Sequence, residues 1–264
     1  MALVVSVVCT IQVGTASASN GDGGQLDPSQ DTIVAGVQFG VPPSAKGSAD
    51  SNGCTWVPAG EAGTFEAGVV DVRVVDGVTQ RLFLRSCPTS TVGVWVSQVS
   101  TARLAVSGSK IVKERLPKPV LGSAPAVTGG VVKVGMWLWA DAVQYRPVSV
   151  VAWVPTLSGI SWVRTTATPV GLVFEPGEPG GVPVRCAGPG EVWDPSVGDE
   201  AASSCMYTYA HSSEIAGGQF GATWSMVWEI SWRSNVGARG DLGEYTTSSN
   251  VDVVVREIQA VIVS

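Results

Sequence analysis

Residues 220–233 alternate between large apolar and polar side chains, and this is the clearest periodic pattern in the chain. One set is Trp224, Met226, Trp228, Ile230 and Trp232, and the other includes Ser225, Glu229, Ser231 and Arg233. Successive side chains of a strand point to opposite faces, so this period of two predicts an antiparallel strand with one buried face. Because Met226 and Ile230 lie among the tryptophans, we expect a core stripe rather than a platform that stacks on sugars.

Strand-like segments recur through the second half of the chain. We predict strands at residues 131–139, 148–154, 160–166, 171–174, 205–209, 220–233 and 245–263. The 32 glycines and 16 prolines of the sequence provide turns between them. Many short strands with little helix predict a mainly β protein in which residues 131–264 form a β-sandwich.

Residues 54–116 are predicted to form a small α+β region. Asp76-Gly77 lies between two β-rich runs, a pattern typical of a tight hairpin. Apolar residues at helical spacing between Ser97 and Leu116 predict a helix that ends before Pro117. Residues 117–130 hold three prolines and three glycines and are predicted to be a linker.

The amino terminus has the pattern of a secretory signal peptide. Residues 1–13 are apolar and precede Ala16-Ser17-Ala18, which predicts a signal peptide of residues 1–18 cleaved after Ala18. No Lys or Arg precedes Lys46, so the usual positively charged start is missing, and we infer that the true translation start lies upstream. Residues 19–53, rich in Gly, Ser, Asp and Pro, are predicted to be a flexible lead-in.

Cleavage would remove Cys9 and leave four cysteines, an even number that predicts two disulfides in an exported chain. Of the three possible pairings we predict Cys54 with Cys87 and Cys186 with Cys205, because each closes a moderate loop within one predicted region. The chain has no Cys-x-x-Cys and a single His, which argues against a zinc site. We predict no cofactor and no metal.

Charge and hydropathy restrict the partners. The 22 acidic residues exceed the 16 basic ones and give a net charge of −6, which disfavours nucleic-acid binding. After removal of the signal peptide no apolar run is long enough for a transmembrane span. A secreted or cell-surface protein is the expectation.

Two motifs resemble the polycystic-kidney-disease-type (PKD) repeat, an immunoglobulin-like β-sandwich. Its aromatic-Asp-x-Gly-Asp-Gly motif corresponds to Phe174-Glu175-Pro176-Gly177-Glu178-Pro179-Gly180, with Glu in place of both Asp, and its later strand to Tyr207-Thr208-Tyr209. The segments Trp137-Leu138-Trp139, Ala152-Trp153-Val154-Pro155, Cys186-Ala187-Gly188-Pro189-Gly190 and Cys205-Met206-Tyr207-Thr208-Tyr209 also look like a set of exported actinobacterial proteins without an assigned activity. This resemblance implies a Gram-positive surface or secreted setting and no mechanism.

The candidate ligand contacts are Glu175, Glu178 and Trp153. Both glutamates belong to a loop whose acids are Glu175, Glu178, Glu191, Asp194, Asp199 and Glu200. Clustered carboxylates can bind Ca²⁺, but the spacing matches no known calcium loop, so a solvent-exposed excursion is the simpler interpretation. Of Trp137, Trp139 and Trp153 we expect one to be exposed.

Motifs for catalysis are weak. His211 is the only imidazole and has no Gly-x-Ser-x-Gly partner motif, so we predict an ordinary loop histidine. Ser107-Gly108-Ser109-Lys110 matches Ser-x-x-Lys but is predicted to be a solvated helix segment, and Arg239-Gly240-Asp241 is predicted to be a hairpin tip.

Together these features predict a non-catalytic interaction module, not an enzyme, that is accessory to a cell-envelope assembly and binds a protein or a cell-envelope polymer. The alternatives are a carbohydrate-binding domain and a hydrolase that acts on extracellular polymer. Convergent polar groups around a concave pocket would favour the hydrolase.

Overall fold

The computed structural model describes residues 36–39, 53–61, 71–198 and 201–258, with backbone only for residues 36–39. The predicted signal peptide and most of the predicted lead-in lie outside the described residues. Among the described residues, no helix is both long and apolar enough to cross a membrane.

The protein is mainly β, as predicted, with 53% strand and one α-helix in the described part of the chain. The helix α1 spans Thr101–Arg115, and short 3-10 helices lie at Ala59–Glu61, Pro195–Val197 and Ser213–Ala216. The strands are β1 Gly36–Phe39, β2 Thr55–Pro58, β3 Val72–Val75, β4 Val78–Cys87, β5 Ser90–Ser97, β6 Leu121–Ala124, β7 Gly130–Val131, β8 Gly135–Ala140, β9 Val148–Thr156, β10 Gly159–Glu175, β11 Val184–Ala187, β12 Met206–Thr208, β13 Phe220–Ser234, β14 Arg239–Val253 and β15 Val255–Arg256.

The strands form several antiparallel sheets, including a curled half-barrel, and one parallel pair. The largest sheet has the order β1-β9-β10-β13-β14, with β11 also paired to β10. A second sheet has the order β12-β8-β6, a third is β2-β4-β3 with β5 on β4, and β15 pairs with β7.

The chain separates into two compact units that are discontinuous in sequence. Unit 1 contains the described residues up to Val112, together with Ser149–Thr166 and Ser231–Asp241. Unit 2 contains Lys113–Val148, Ala167–Ile230 and the described residues from Leu242 onward. The predicted linker, residues 117–130, falls inside unit 2, where Leu121–Ala124 pair with β8.

In unit 1, the predicted hairpin and the predicted disulfide are both confirmed. Asp76 and Gly77 have positive φ angles of 49° and 75°, as a type I′ turn between β3 and β4 requires. Cys54 and Cys87 are bonded next to the first β2–β4 pair, Thr55 opposite Ser86. The bridge therefore closes the end of this ladder.

Helix α1 confirms the helix prediction, but Ser107-Gly108-Ser109 does not form the solvated segment that the sequence led us to expect. Ser107 and Ser109 are buried, and the Ser107 hydroxyl donates to the Arg103 carbonyl oxygen at 3.1 Å. Gly108 lies so close to β10 that an added Cβ would be 2.6 Å from Thr165 Oγ1. Small residues are needed here because the helix and the strand are in close contact.

We expect Gly108→Ala to lower the free energy of unfolding by about 1 kcal/mol, since overpacking costs more than the helix propensity gained. In a Thr165→Ala background the same substitution should be neutral or stabilising, because the clashing hydroxyl is gone. Urea unfolding of the four proteins in a double-mutant cycle measures this, with Val106→Ala on the exposed side of α1 as control. An identical cost in both backgrounds would contradict the contact.

In unit 2, the alternating stripe of β13 is core, as predicted. Trp224, Met226, Trp228 and Ile230 are each 0% exposed. The Trp228 indole Nε1 donates to Thr247 Oγ1 of β14 at 3.0 Å, so its polar atom is satisfied. The second predicted disulfide, Cys186–Cys205, is also confirmed and links β11 to the residue before β12.

Two further local predictions differ from the structure. The hairpin between β13 and β14 turns at residues 235–238, so Arg239-Gly240-Asp241 begins β14 and is not the tip. The separate strands predicted at 160–166 and 171–174 form one strand, β10, which runs through Pro169. The pairing of β10 with β11 begins at Gly171. Because Pro169 precedes this residue, its missing N–H removes no hydrogen bond between β10 and β11.

Candidate functional site

Glu178 is the centre of a polar cluster in unit 2. It lies in the turn of residues 176–181 that follows β10. Its hydrogen-bond partners Tyr207, Ala210 and His211, together with the neighbouring Tyr209, lie in and after β12. The Glu178 side chain is 3% exposed, whereas the His211 side chain is 56% exposed. We call these five residues the Glu178 cluster.

The Glu178 carboxylate accepts four hydrogen bonds. Oε2 accepts from the Tyr207 hydroxyl at 2.7 Å. Oε1 accepts from the backbone N–H groups of Ala210 at 2.8 Å and His211 at 2.7 Å, and it lies 2.9 Å from His211 Nδ1. One carboxylate thus joins two segments that are about 30 residues apart in sequence.

Aromatic rings enclose the cluster. The Tyr207 ring meets Phe174 edge-on at 6.0 Å and Tyr209 at 4.7 Å, and Tyr209 stacks on Phe220 at 5.4 Å. The Tyr209 hydroxyl donates to the Pro176 carbonyl oxygen at 3.3 Å. These contacts exclude water from the carboxylate and hold the turn of residues 176–181 against β12.

The environment keeps Glu178 ionised. Burial acts to raise its pKa, but the hydrogen bonds from Tyr207, His211 and Ala210 outweigh burial, and the pKa lies below its ordinary value. Burial, followed by the hydrogen bond to Glu178 and its charge, raises the pKa of Tyr207. Burial, with Tyr207 and Glu178 as weaker contributors, raises the pKa of Tyr209. Both phenols therefore remain protonated donors at neutral pH.

The ionised carboxylate determines the histidine tautomer. A carboxylate only accepts hydrogen bonds, so the contact requires a hydrogen on His211 Nδ1. The other ring nitrogen, Nε2, takes no part in this hydrogen bond. A carboxylate on Nδ1 is also the arrangement that orients a general base. Among the described residues, no hydroxyl or thiol hydrogen-bonds to Nε2. The nearby Ser213 hydroxyl instead donates to the Gly218 carbonyl oxygen at 2.7 Å and accepts from the Val255 N–H.

The turn that carries Glu178 depends on Gly177. Its φ angle is +69°, and an added Cβ would meet the Gly221 carbonyl oxygen. Gly180 in the same turn has a similar φ of +76° but has open space around the Cβ position. A side chain at Gly180 would cause backbone strain alone, whereas a side chain at Gly177 would cause both strain and steric overlap. Comparing the two substitutions therefore distinguishes the two effects.

We expect Gly177→Ala to lower the free energy of unfolding by about 2 kcal/mol, because strain and overlap add, and Gly180→Ala by about 1 kcal/mol, because only strain applies. Thermal unfolding at neutral pH compares the two variants directly. Equal losses would indicate that Gly177 has room for a side chain.

The three candidate ligand contacts are not brought together. Glu178 is buried in its cluster, and Glu175 is exposed in a shallow groove of about 390 Å³ that Arg185, Ser225, Glu244 and Thr246 also line. Trp153 belongs to unit 1, is 4% exposed and meets Trp56 edge-on at 5.7 Å. Trp153 is thus a core residue of unit 1.

Acidic residues of the loop do not gather around a common point in the described structure. Glu175, Glu191 and Asp194 are exposed, and the Asp194 carboxylate caps the backbone N–H of Ser196 at 2.8 Å. That hydrogen bonding lowers the pKa of Asp194. Within the described residues, which omit Asp199 and Glu200, no group of three or more His, Cys, Asp or Glu side chains is placed to hold a metal ion.

The tryptophan side chains are all buried or half-buried. All ten lie in described residues and none is exposed. Our expectation that one of Trp137, Trp139 and Trp153 is exposed was wrong, because Trp137 and Trp153 are buried and the Trp139 indole lies half-buried across Gly122 of the neighbouring strand. A glycine opposite the indole gives it a backbone surface to cover.

Sequence reasoning missed the pairing of Glu178 with His211, which are 33 residues apart. The sequence signal that could have indicated contact between these two segments was the PKD resemblance, because Glu178 and Tyr207 belong to its two motifs. Comparison with known proteins matches this chain to no family model, no curated protein and no solved structure.

Proposed function

We propose that the chain is a non-catalytic secreted or cell-surface interaction module, accessory to a cell-envelope assembly, whose partner is a protein or a cell-envelope polymer. The supporting observation is that Glu178 accepts four hydrogen bonds from its own chain. These hydrogen bonds occupy the Glu178 carboxylate and hold the turn of residues 176–181 against β12. We call this structural role of the carboxylate the Glu178 brace.

Export is part of the proposal. Two disulfides are typical of oxidising compartments, and they support a secreted or cell-surface location. The mass of the natively produced protein, with and without reduction and alkylation, tests this. Cleavage after Ala18 and four alkyl groups gained only after reduction are expected, and four alkyl groups without reduction would count against export.

We further propose that residues 131–264 form a PKD-like sandwich. The two motifs that carry this resemblance contact each other: Phe174 packs on Tyr207, Glu178 accepts from Tyr207, and Pro176 accepts from Tyr209. Contact between the two motifs is what a shared fold would require.

A hydrolase is the second candidate, because Glu178 orients His211 as a carboxylate orients a general base. Purified protein incubated with cell-wall polymer, assayed for both sedimentation with the polymer and release of reducing ends, separates the two. We expect co-sedimentation without release, and the same behaviour for His211→Ala. Release that is lost in His211→Ala would replace our proposal with the hydrolase.

A further inference from the structure

The hairpin between β13 and β14 in unit 1 places two arginines opposite each other. The Ser234 N–H donates to the Ala238 carbonyl oxygen at 2.8 Å, which defines the last pair of the hairpin. Arg233 and Arg239 are the next residues on the two strands, so they face each other and project from the same side of the sheet. Both are exposed.

These arginines border an open groove of about 550 Å³. Its lining consists of Thr166, Ser231, Trp232, Arg233, Arg239 and Gly240. Because strand side chains alternate, Ser231 and Arg233 share a face, and Trp232 between them points to the other face and lies across Gly240. The groove therefore presents guanidinium groups and hydroxyls over a floor of backbone.

The charge arrangement is unfavourable for the protein alone. Like charges directly opposite each other on a hairpin destabilise it. Within the described part of the chain, neither the Arg233 nor the Arg239 guanidinium forms an ion pair or a hydrogen bond. A bound anion would neutralise these two adjacent cations, which stand out in a chain of net charge −6.

The surrounding charges leave the groove cationic. The two exposed guanidinium groups of Arg233 and Arg239 outnumber Asp241, which is the only acid in residues 231–241. The groove volume fits one residue of a polymer or a small ligand.

We propose that this groove binds an oxyanion, a carboxylate or a phosphate, carried by an acidic polymer of the cell envelope. Arg233 and Arg239 each donate to the oxyanion, and the Ser231 hydroxyl binds a neighbouring polar group. This inference rests on the proposed function, since it names the chemistry of the partner.

Gel electrophoresis in which a polymer is cast into the gel measures the affinity as retardation. The probes are polygalacturonate for carboxylate, poly(glycerol phosphate) for phosphate, and dextran as the neutral polymer. We expect retardation by at least one acidic polymer, weakened by salt, and none by dextran. Retardation in only one acidic gel identifies the oxyanion.

The variant Arg233→Gln/Arg239→Gln should bind about tenfold more weakly, because two charged hydrogen-bond donors are lost. The control Lys118→Gln/Arg146→Gln removes the same charge from exposed positions of unit 2 and should stay within about twofold of wild type. Asp241→Asn should bind more tightly. Thermal unfolding of each variant verifies that the fold is retained.

Each failure has a separate meaning. Equal weakening in both double variants would overturn the groove and leave the proposed function intact, because it indicates attraction by net charge alone. Retardation by neither acidic polymer would overturn the assignment to an envelope polymer. Shortening of the polymer during the run would instead contradict the proposed function.

Discussion

Replacement of Glu178 by Ala is expected to lower the free energy of unfolding by about 3 kcal/mol at pH 7, because the Tyr207 hydroxyl and two backbone N–H groups lose their acceptor. The control is Glu175→Gln, three residues earlier on the exposed end of β10, which should change stability by less than about 0.5 kcal/mol. Urea unfolding at pH 7 measures both variants.

The pH dependence of Glu178 follows from its lowered pKa. A carboxyl whose pKa is lower in the folded than in the unfolded state adds stability above the unfolded pKa, and that stability is lost as the pH falls through the folded pKa. The ordinary value is 4.5, so the loss begins near pH 4.5 and grows below it. Glu178→Gln cannot titrate, and the stability gap between it and the wild type should therefore narrow with acidification.

Unfolding curves of wild type and Glu178→Gln at several pH values below neutrality test this directly, since other acids contribute equally to both proteins. A gap that stays constant down to about pH 3 would mean that Glu178 is not ionised by preference in the folded state. If Glu178→Ala were as stable as the wild type, the structural role of the Glu178 brace would be contradicted.

Removal of the Cys186–Cys205 bridge is expected to cost about 3 kcal/mol, since the bond closes a loop with a sequence separation of 19. The two sulfurs are buried, so Ala at both positions adds a small packing loss. Thermal unfolding of Cys186→Ala/Cys205→Ala at neutral pH gives the change.

The Cys54–Cys87 bridge of unit 1 provides the comparison. Its sequence separation is 33, and loop entropy alone predicts that its removal costs roughly 0.5 kcal/mol more than removal of the shorter bridge. If removal of the Cys186–Cys205 bridge lowers stability much more than removal of the Cys54–Cys87 bridge, the shorter bridge holds β11 and β12 in place in the folded protein. If neither removal lowers stability by about 1 kcal/mol, the loop-entropy argument fails for this chain.

The sequence by itself determined the features that depend on neighbouring residues. The period of two in residues 220–233 requires one buried strand face whatever lies opposite, and Asp76-Gly77 accepts the positive φ angles that a two-residue turn demands. The cysteine pairs followed from loop length, and α1 from apolar spacing before Pro117.

Only the tertiary structure decided how distant residues meet. Glu178 and His211 are 33 residues apart, and Arg233 faces Arg239 only once the turn at 235–238 sets the register. Likewise Ser107 is buried because a small-residue face of α1 packs against Thr165, while its sequence suits a solvated helix equally well. Local pattern describes a side chain's own element, whereas a polar side chain gains its role from partners that only folding supplies.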